Sequence, residues 1–467
     1  MPKTKIVCTI GPASSSPETI RAMIRSGMNV ARLNFSHGSH ADHAEKIQTI
    51  RAIADEINHP VAILQDLCGP KIRVGTIPEP GIQIKPGESF VLTSDEVHGT
   101  NGRVSVSYRG LPADVKVGDR LLLADGMMEL EVVRSVGSDI TTRVITGGVL
   151  TSHKGVNLPT GSMQLQALTD KDRDDLKFGL AHDVDYVALS FVRTVDDIRT
   201  IKALIAAQGR KTPVVAKIEK HEALDHVDDL VEAADAIMVA RGDLGVEIPL
   251  ENVPNIQKML IQKANQRGRP VIIATQMLRS MVDAPRPTRA EAADVANGVL
   301  DGADAVMLSE ETASGRYPVE AVKFMANIAR AAEERFPYRR YLKQVNNLGI
   351  SQSVAAAACN LADNLNAAAI VATTRSGATA RHVARFRPRG RIIALSPSKK
   401  TVRRLAMCWG CTPCYLSLSE DTDEMIETAA ESALLSGQVQ PGDLVVITAG
   451  RPMYAAGTTN MLWVKHL

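Results

Sequence analysis

The chain has 467 residues, of which 45% are hydrophobic and 23% are charged. This composition is that of a globular protein, and it excludes a disordered, collagen-like or coiled-coil chain. At roughly 150 residues per domain, the length favours about three domains over one small binding module. The 54 Lys and Arg residues against 52 Asp and Glu residues give a net charge of +2, too near neutrality for a protein whose main role is to bind nucleic acid.

The sequence also indicates the compartment. It has no apolar run near the ~18 residues that cross a bilayer, and residues 1–7 lack the apolar core of a signal peptide. We therefore expect a cytoplasmic protein without a membrane or nucleic-acid partner. Six cysteines in so long a chain do not make a disulfide framework.

Short runs rich in Val, Ile and Ala recur along the chain, and each ends in polar or charged residues. Such runs are typical of buried parallel strands. Eight strands close a (β/α)₈ barrel, whose active site lies at the carboxyl ends of the strands. The predicted strands are residues 6–9, 30–34, 62–66, 186–190, 214–219, 236–241, 271–275 and 305–309.

The barrel pattern is interrupted between the third and fourth runs. Residues 70–166 show alternating apolar and polar positions with many Gly and Pro residues and no convincing helix. We predict an α/β fold of the TIM-barrel class: barrel segments 1–69 and 167–340, an inserted small β-barrel lid domain at 70–166, and a C-terminal α/β domain at 341–467. A lid in that position would exclude water from the barrel mouth.

The ends of two predicted strands carry charged residues that suit a metal site. Lys217 and Glu219 are two apart on a strand and so point to the same face. Asp243 follows the next strand, and two acidic oxygens with room for water and a substrate phosphate suit Mg²⁺. The alternative is a set of structural ion pairs at a barrel rim.

Further polar residues end other strands. Arg32, Asn34 and Ser36 alternate after the second strand, and a guanidinium beside small polar groups suits phosphate; an ordinary solvated strand end is the alternative. Thr275 and Ser309 supply hydroxyls, which can equally be helix caps. Together these groups favour phosphoryl transfer. The chain has no Walker A motif.

Three other patterns carry less chemistry. Residues 408–414 contain three cysteines, which we interpret as buried core and not as an iron–sulfur motif. Residues 385–391 contain four Arg residues and predict a solvated surface. Residues 373–380 place hydroxyls and Gly between an apolar run and a helix, which indicates either an anion site or an ordinary N-cap.

Six motifs in order over nearly the whole chain resemble pyruvate kinase, in a bacterial-type form. They include Lys217-Ile218-Glu219 and Arg241-Gly242-Asp243. The resemblance implies a barrel domain, a lid, a C-terminal regulatory domain and usually a homotetramer. It also implies the last step of glycolysis, in which phosphoenolpyruvate and ADP give pyruvate and ATP. The motifs are residues 5–14, 31–38, 216–219, 239–247, 274–277 and 307–312.

Carried over residue by residue, the resemblance implies roles at the reacting centre. Glu219 and Asp243 would hold a Mg²⁺ ion, for which Mn²⁺ is an acceptable substitute. Lys217 would stabilise the phosphoryl group in flight, and Arg32 would hold it before transfer. The substrate carboxylate would bind at Thr275 and the backbone around Gly242 and Asp243. Thr275 and Ser309 would lie near the proton relay, without identifying the proton donor.

The resemblance also implies a nucleotide site, to which a second Mg²⁺ comes with the nucleotide. The matching positions are Asn34, Ser36, His37, Arg73 and Lys154.

Two departures from the family pattern stand out. Many members need K⁺ and have Glu at the position of Lys71 and Thr at the position of Leu67. Asn34, Ser36 and Asp66 still match the cation ligands, but the Lys71 ammonium can supply the charge that K⁺ provides. We expect a K⁺-independent enzyme. Glu310 stands where the family often has Gly, and the sequence offers no physical account of it.

The resemblance places an effector-phosphate loop in the C-terminal domain, with a closing loop at residues 449–460. A sugar monophosphate or AMP fits the expectation better than fructose 1,6-bisphosphate. The loop residues are Thr373, Thr374, Arg375, Ser376, Gly377 and Thr379.

Two other functions remain open from the residues. A metal-dependent lyase or aldolase acting on a pyruvate enolate explains Lys217, Glu219 and Asp243, but gives Lys154 and the lid no nucleotide. A catalytically silent sensor of phosphorylated metabolites would have no need of groups matched to charge in flight.

Overall fold

The computed structural model describes residues 1–159, 166–343, 349–416, 422–450 and 458–467. Its centre is a closed barrel of eight parallel strands, in which the first strand pairs with both the second and the eighth. All eight predicted strands are confirmed. They are Lys5–Thr9, Met28–Asn34, Ala62–Asp66, Tyr186–Leu189, Val214–Ile218, Ala236–Ala240, Val271–Ala274 and Ala305–Leu308.

Helices surround the barrel and explain why its strands are apolar on both faces. One set of strand residues points outward against the helices, and the alternate set fills the barrel interior. Ser16, Ser39, Thr169 and Thr288 begin four of the helices, each accepting a backbone N–H in its first turn. The helices of this region are Pro17–Ser26, His40–Glu56, Asp170–Ala181, Val195–Ala207, Glu222–Asp225, Val227–Ala233, Arg241–Glu247, Val253–Arg267, Arg289–Leu300, Glu310–Ala313, Pro318–Glu333 and Tyr338–Leu342.

The inserted β region lies between the third and fourth barrel strands. A six-stranded sheet and a two-stranded sheet enclose one apolar core. The prediction of a small β-barrel domain is confirmed, because bridges from Arg73 to Gly155 and from Val74 to Val106 join the two edges of the six-stranded sheet. A single short helix, Leu111–Asp114, occurs among the described residues of this region. The strands are Ile82–Ile84, Ser89–Thr93, Arg103–Ser105, Arg120–Leu123, Met128–Val136, Asp139–Thr146, Gly148–Leu150 and Val156–Asn157.

The C-terminal region is an α/β sheet of five strands, of which the last is antiparallel to its neighbour. In the order of the sheet, the strands are Cys411–Tyr415, Arg391–Ser396, Ala369–Thr373, Leu444–Ala449 and Met461–His466. The helices that pack with this sheet are Ile350–Asn364, Ala378–Ala384, Lys399–Leu405 and Thr422–Leu435.

The C-terminal region closes the amino-terminal end of the barrel. Ala406 and Met407 pack into the same apolar cluster as the inward-facing strand residues. Tyr186 Oη donates to the Arg404 carbonyl at 2.8 Å, and the Arg403 guanidinium pairs with Asp185 at 2.9 Å. The barrel floor is therefore made partly by the C-terminal region.

The predicted exposure of residues 385–391 is wrong at two positions. Arg385 is 7% exposed and Arg387 is 1% exposed, because both side chains turn inward onto the barrel. Arg387 pairs with the buried Asp304 carboxylate at 2.7 Å. A run of arginines in a sequence predicts a solvated surface. Here Arg387 instead pairs with Asp304 of the barrel, and Arg385 donates to the Gln266 carbonyl.

The remaining predictions concern cysteines and membranes. All six cysteines are free; of the three predicted to be buried core, Cys408 and Cys411 are buried and Cys414 is half-buried. Among the helices that the structure describes, none is both long and apolar enough to cross a bilayer. Most of the predicted closing loop, residues 451–457, lies outside the described residues.

Candidate active site

The carboxyl ends of the barrel strands bring a buried ammonium group between carboxylates. Lys217 Nζ lies 2.9 Å from Glu219 Oε1 and 3.3 Å from Asp66 Oδ1. It also donates to Ser190 Oγ at 2.8 Å. The Lys217 side chain is 12% exposed and both carboxylates are 1% exposed. The predicted Lys217 and Glu219 pair therefore meets at the barrel mouth.

The charges in this cluster change one another's pKa. Burial alone would lower the pKa of Lys217, but the Asp66 and Glu219 carboxylates outweigh it and raise that pKa above its usual value. Burial opposes ionisation of Asp66, yet Lys217 and Arg32 lower its pKa. Burial and the neighbouring Asp243 carboxylate raise the pKa of Glu219 despite Lys217. The ammonium is thus held charged among acids.

Arg32 forms the other side of the same cluster. Its Nε lies 2.6 Å from Asp66 Oδ2, and its Nη1 donates to Thr9 Oγ1 at 2.9 Å. Thr9 Oγ1 in turn donates to the Leu308 carbonyl at 3.0 Å. Because Asp66 and Thr9 fix the guanidinium, Arg32 presents a preset donor fork to the mouth.

Thr275 and Gly242 join two neighbouring strand ends. The Gly242 N–H donates to Thr275 Oγ1 at 2.7 Å. Thr275 has a φ of 71° and Gln276 has a φ of 54°, a left-handed conformation that costs a β-branched residue about 1–3 kcal/mol. Arg241 holds this turn through its Nη2, which donates to the Thr275 carbonyl at 2.8 Å, while Asp294 anchors its Nη1 at 2.8 Å.

The second predicted metal ligand, Asp243, contacts the inserted β region. Lys71 Nζ lies 3.2 Å from Asp243 Oδ1, and the Lys71 side chain is 27% exposed. Glu219 Oε2 accepts the Phe191 N–H at 2.9 Å. Two carboxylates from adjacent strand ends form an oxygen donor set of the kind that Mg²⁺ prefers, so the residues fit a divalent ion.

Ser309 lies at the end of the eighth strand beside another buried carboxylate, that of Glu311. Its N–H donates to Glu311 Oε2 at 2.7 Å, whereas its buried Oγ has no hydrogen-bond partner among the described residues. Glu310, which the sequence left without an account, forms an exposed ion pair with Arg279 at 2.9 Å.

The predicted nucleotide positions fall into two groups that the structure does not join by direct bonds. Asn34 Oδ1 accepts the Ser36 N–H at 3.1 Å, and the His37 carbonyl accepts from His43 Nε2 at 2.9 Å. The second group is in the lid, where Arg73 Nη1 donates to the His153 carbonyl at 3.0 Å and the Lys154 side chain is exposed.

The predicted monovalent-cation positions are partly occupied by protein groups. Asp66 pairs with Arg32 and Lys217, and the Leu67 side chain is 1% exposed in the apolar barrel core. A Leu side chain has no oxygen to offer a cation. Lys71 is the nearby positive charge on Asp243.

The predicted effector loop lies at the carboxyl end of strand Ala369–Thr373, in the C-terminal sheet. Thr374 Oγ1 accepts the Gly377 N–H at 3.0 Å, and the Thr379 hydroxyl lies 2.8 Å from that of Thr459. The Arg375 carbonyl accepts from Thr401 Oγ1 at 2.8 Å, and the Ser376 carbonyl accepts from Arg381 Nη1 at 3.2 Å.

Several residues that shape the site were not predicted from the sequence. Ser190 was treated only as a strand end, and Arg241 only as part of a motif. A network beside the mouth was also missed: Glu247 accepts from Lys220 Nζ at 2.7 Å, from Asn157 of the lid at 3.0 Å and from His221 at 3.1 Å. The signal for Ser190 and Arg241 is the same as for Lys217, a polar residue at a strand's carboxyl end.

A closed parallel barrel whose polar groups converge at the carboxyl ends of its strands defines an enzyme of the (β/α)₈ class. Residues 1–322 match the family model described as pyruvate kinase, barrel domain, and residues 352–465 match pyruvate kinase, alpha/beta domain. The chain belongs to the pyruvate kinase family. Enzymes of this family convert phosphoenolpyruvate and ADP into pyruvate and ATP.

Similar proteins cover the chain from end to end. Pyruvate kinase 2 of Synechocystis is 49% identical over 99% of this chain and 79% of its own length. Pyruvate kinase of Clostridium acetobutylicum is 44% identical over 100% of this chain and 99% of its own. Pyruvate kinase of Geobacillus stearothermophilus is 48% identical over 99% of this chain and 80% of its own.

Proposed function

We propose that this enzyme transfers the phosphoryl group of phosphoenolpyruvate to ADP with Mg²⁺, without needing K⁺ and under the control of a phosphorylated metabolite. The observation that carries the proposal is the buried Lys217 ammonium between Glu219, Asp66 and Ser190. A cation fixed in advance at the point where charge develops lowers the barrier to transfer.

The residues divide the substrate between them. Arg32, preset by Asp66 and Thr9, binds the phosphoryl group before transfer. Thr275 and the first-turn N–H groups of helix Arg241–Glu247 bind the carboxylate, since N–H groups in the first turn of a helix have no partner within the helix. Lys217 and Arg32 both pair with the Asp66 carboxylate. From this position the Lys217 ammonium stabilises the phosphoryl group during its transfer.

Glu219 and Asp243 are the protein ligands that would hold Mg²⁺, and Mn²⁺ is an acceptable substitute. When bound, the ion neutralises charge on the substrate's carboxylate and phosphate. A second Mg²⁺ enters with the nucleotide. Asn34, Ser36 and His37 on the barrel side, with Arg73 and Lys154 on the lid side, bind the nucleotide diphosphate when the lid closes.

Transfer leaves an enolate that must take a proton at carbon. Thr275 and Ser309 are the hydroxyls at adjacent strand ends, and Ser309 Oγ is buried without a partner among the described residues. We assign the relay to these two hydroxyls. The proton's first donor is a separate question, which solvent-isotope exchange on pyruvate in variants of each hydroxyl would answer.

A coupled assay tests the reaction. Pyruvate formation from phosphoenolpyruvate is measured with and without ADP, in the presence of Mg²⁺. We expect pyruvate and ATP in equal amounts, and no pyruvate without ADP. ADP-independent pyruvate would favour a lyase, and no turnover under either condition would favour a sensor.

Independence from K⁺ rests on Lys71 and Leu67. Lys71 places a fixed positive charge beside Asp243 at 3.2 Å, and Leu67 fills the neighbouring position with an apolar side chain. Activity in buffer free of Na⁺ and K⁺ should change little when K⁺ is added. The double variant Lys71→Glu with Leu67→Thr should instead require K⁺. A steep response of the unaltered enzyme to K⁺ would contradict the proposal.

Regulation is proposed to act through the loop of Thr373, Thr374, Arg375, Ser376, Gly377 and Thr379. Its hydroxyl and amide groups suit a phosphate, and the loop adjoins the helix Lys399–Leu405 through the Thr401 hydroxyl. Glucose 6-phosphate, AMP and fructose 1,6-bisphosphate should be titrated at subsaturating phosphoenolpyruvate. A shift in half-saturation with a monophosphate is expected, and no shift with any of the three would refute control through this loop.

We also propose the domain boundaries, the oligomeric state and the cellular location of the enzyme. Domain boundaries at 1–69, 70–166, 167–340 and 341–467 agree with the pairing of strands within each sheet. A homotetramer and a cytoplasmic location follow from the family and from substrates that are small charged metabolites. Sedimentation at working concentration tests the tetramer, and limited proteolysis tests the boundaries.

A further inference from the structure

A narrow cleft lies between the C-terminal region and the amino-terminal end of the barrel, which is the end opposite the catalytic residues. Four arginines line it: Arg269 from the barrel, and Arg381, Arg385 and Arg387 from the C-terminal region. A single carboxylate, Asp304, lines it as well. We call this space the junction cleft.

Arg387 and Asp304 neutralise each other. Arg387 Nη2 and Nη1 lie 2.7 and 3.1 Å from the two oxygens of Asp304. Asp304 also accepts the Val271 N–H at 3.1 Å and the Trp409 N–H at 3.3 Å. Asp304, the carboxylate of the junction cleft, therefore neutralises Arg387 and does not neutralise the other three arginines.

The other three arginines bind only neutral carbonyl groups. Arg269 Nη2 donates to the Glu232 carbonyl at 2.7 Å, Arg381 donates to the Ser376 carbonyl, and Arg385 donates to the Gln266 carbonyl. Within the described part of the chain, none of the three forms an ion pair with a carboxylate. Three guanidinium groups around one cleft thus lack a counter-ion.

Burial makes this imbalance costly. Arg385 is 7% exposed, and its Nε has no hydrogen-bond partner among the described residues, as is true of Arg269 Nε. Arg385 passes close to the barrel backbone: a Cβ added at Gly268 would lie 3.5 Å from Arg385 Cδ and Nε. An unpaired buried cation with a spare N–H is stabilised by an anion.

The neighbouring His382 responds to the same positive field. Burial, followed by Arg381 and Arg385, lowers the pKa of His382 to about 4. The imidazole is therefore neutral at pH 7 and neither adds to nor offsets the charge of the cleft. Burial also lowers the pKa of Arg385, and Arg267 adds to that effect.

We propose that the junction cleft binds the phosphate group of a small phosphomonoester through Arg269, Arg381 and Arg385. Three guanidinium groups from two segments, one in the barrel and one in the C-terminal region, suit a phosphate with its several oxygens better than a carboxylate with two. The phosphate binds at the open side of the cleft, and the organic part remains toward solvent. This site is separate from the proposed effector loop, although Arg381 contacts both.

An anion bound in the junction cleft would link the barrel to the C-terminal region. Arg381 and Arg385 follow the effector loop in the chain, whereas Arg269 lies two residues before strand Val271–Ala274, which ends beside Thr275. An anion shared by these arginines resists separation of the barrel from the C-terminal region. We therefore expect phosphate to raise the melting temperature of the full chain as well as to bind.

The test is calorimetric titration of the full chain with inorganic phosphate, and separately with glucose 6-phosphate, at constant ionic strength in chloride. Arg385→Gln and Arg269→Gln should each raise the dissociation constant about tenfold or more, since a hydrogen bond to a charged group is lost. The matched control is Arg199→Gln, an exposed arginine on a barrel helix, which should leave binding unchanged. Arg381→Gln serves if Arg385→Gln does not fold.

A variant of the effector loop separates the two sites. Thr374→Val removes a loop hydroxyl and should leave phosphate binding in the junction cleft intact. Tighter binding of glucose 6-phosphate than of inorganic phosphate identifies a phosphomonoester as the ligand, and the reverse identifies free phosphate. The proposal is overturned if the arginine variants bind both probes like the unaltered chain, or if Thr374→Val abolishes all binding. Neither result affects the coupled assay for phosphoryl transfer.

Discussion

Replacing Lys217 with Met tests the reacting centre, because it keeps most of the side-chain stem and removes the ammonium group. That group lies 2.9 Å from Glu219 and 3.3 Å from Asp66, and each contact is worth about 5 kcal/mol at an effective dielectric constant of ~20, before desolvation. After desolvation, loss of one partner of a buried pair costs about 3–5 kcal/mol of stability. Turnover should fall on the order of 10²-fold or more, since the lost charge acts in the transition state.

The assay compares kcat with phosphoenolpyruvate binding measured by calorimetry without ADP. Binding should remain within a few-fold, because Arg32 and Thr275 still hold the substrate. The matched control is Arg387→Met, since Arg387 is also buried and lies 2.7 Å from Asp304 at the opposite end of the barrel. It should lose comparable stability while kcat changes little. A kcat near normal in Lys217→Met, with correct folding, would remove Lys217 from the mechanism.

Three further predictions concern stability. Arg387→Met leaves Asp304 buried without its partner and should lower the free energy of unfolding in urea by about 3–5 kcal/mol; the exposed control Arg199→Met should stay within about 0.5 kcal/mol, and equal effects would contradict this. Met407→Ala opens a cavity at the barrel floor and should cost about 2–5 kcal/mol, with a cost below 1 kcal/mol showing that the floor does not depend on it. His382 has a folded pKa of about 4 against ~6.5 unfolded. The unfolded chain therefore binds more protons between those values, and stability falls by about 3 kcal/mol as pH drops through them. His382→Gln should remove that part of the slope in urea titrations at several pH values, and an unchanged slope would refute the assignment.

The barrel could be predicted from sequence because its determinants are local. A strand buried on both faces must be apolar throughout, as Ala236–Ala240 is. The polar residues that follow such a strand mark where it ends. The burial of Arg385 and Arg387 could not be predicted in that way. Arg387 and its partner Asp304 are 83 residues apart, so a run that is locally basic appears solvated until the barrel is placed against it. The closure of the lid strands into a barrel depends in the same way on contacts between distant residues, such as Arg73 with Gly155.

In the candidate site as well, contacts within one strand could be predicted from the sequence, whereas contacts between distant residues could not. Lys217 and Glu219 are two apart on one strand, so their convergence follows from strand geometry alone. The contact of Lys71 with Asp243 spans 172 residues and depends on where the lid lies, which no local pattern specifies. Ser190 was missed because a single hydroxyl at a strand end is ambiguous. Its role becomes visible only when the neighbouring strand brings the Lys217 ammonium to 2.8 Å.

The charges of the barrel mouth explain why Lys71 matters to the proposed independence from K⁺. Six charged side chains that contact one another at the mouth balance in charge: Arg32, Lys71 and Lys217 against Asp66, Glu219 and Asp243. A balanced set cannot by itself neutralise a substrate that carries both a phosphate and a carboxylate. Once Asp243 serves as a metal ligand, Lys71 loses its partner but stays tethered beside the mouth, where its ammonium becomes available to the incoming anions. For this reason we propose that the Lys71 ammonium takes the place of a bound monovalent cation.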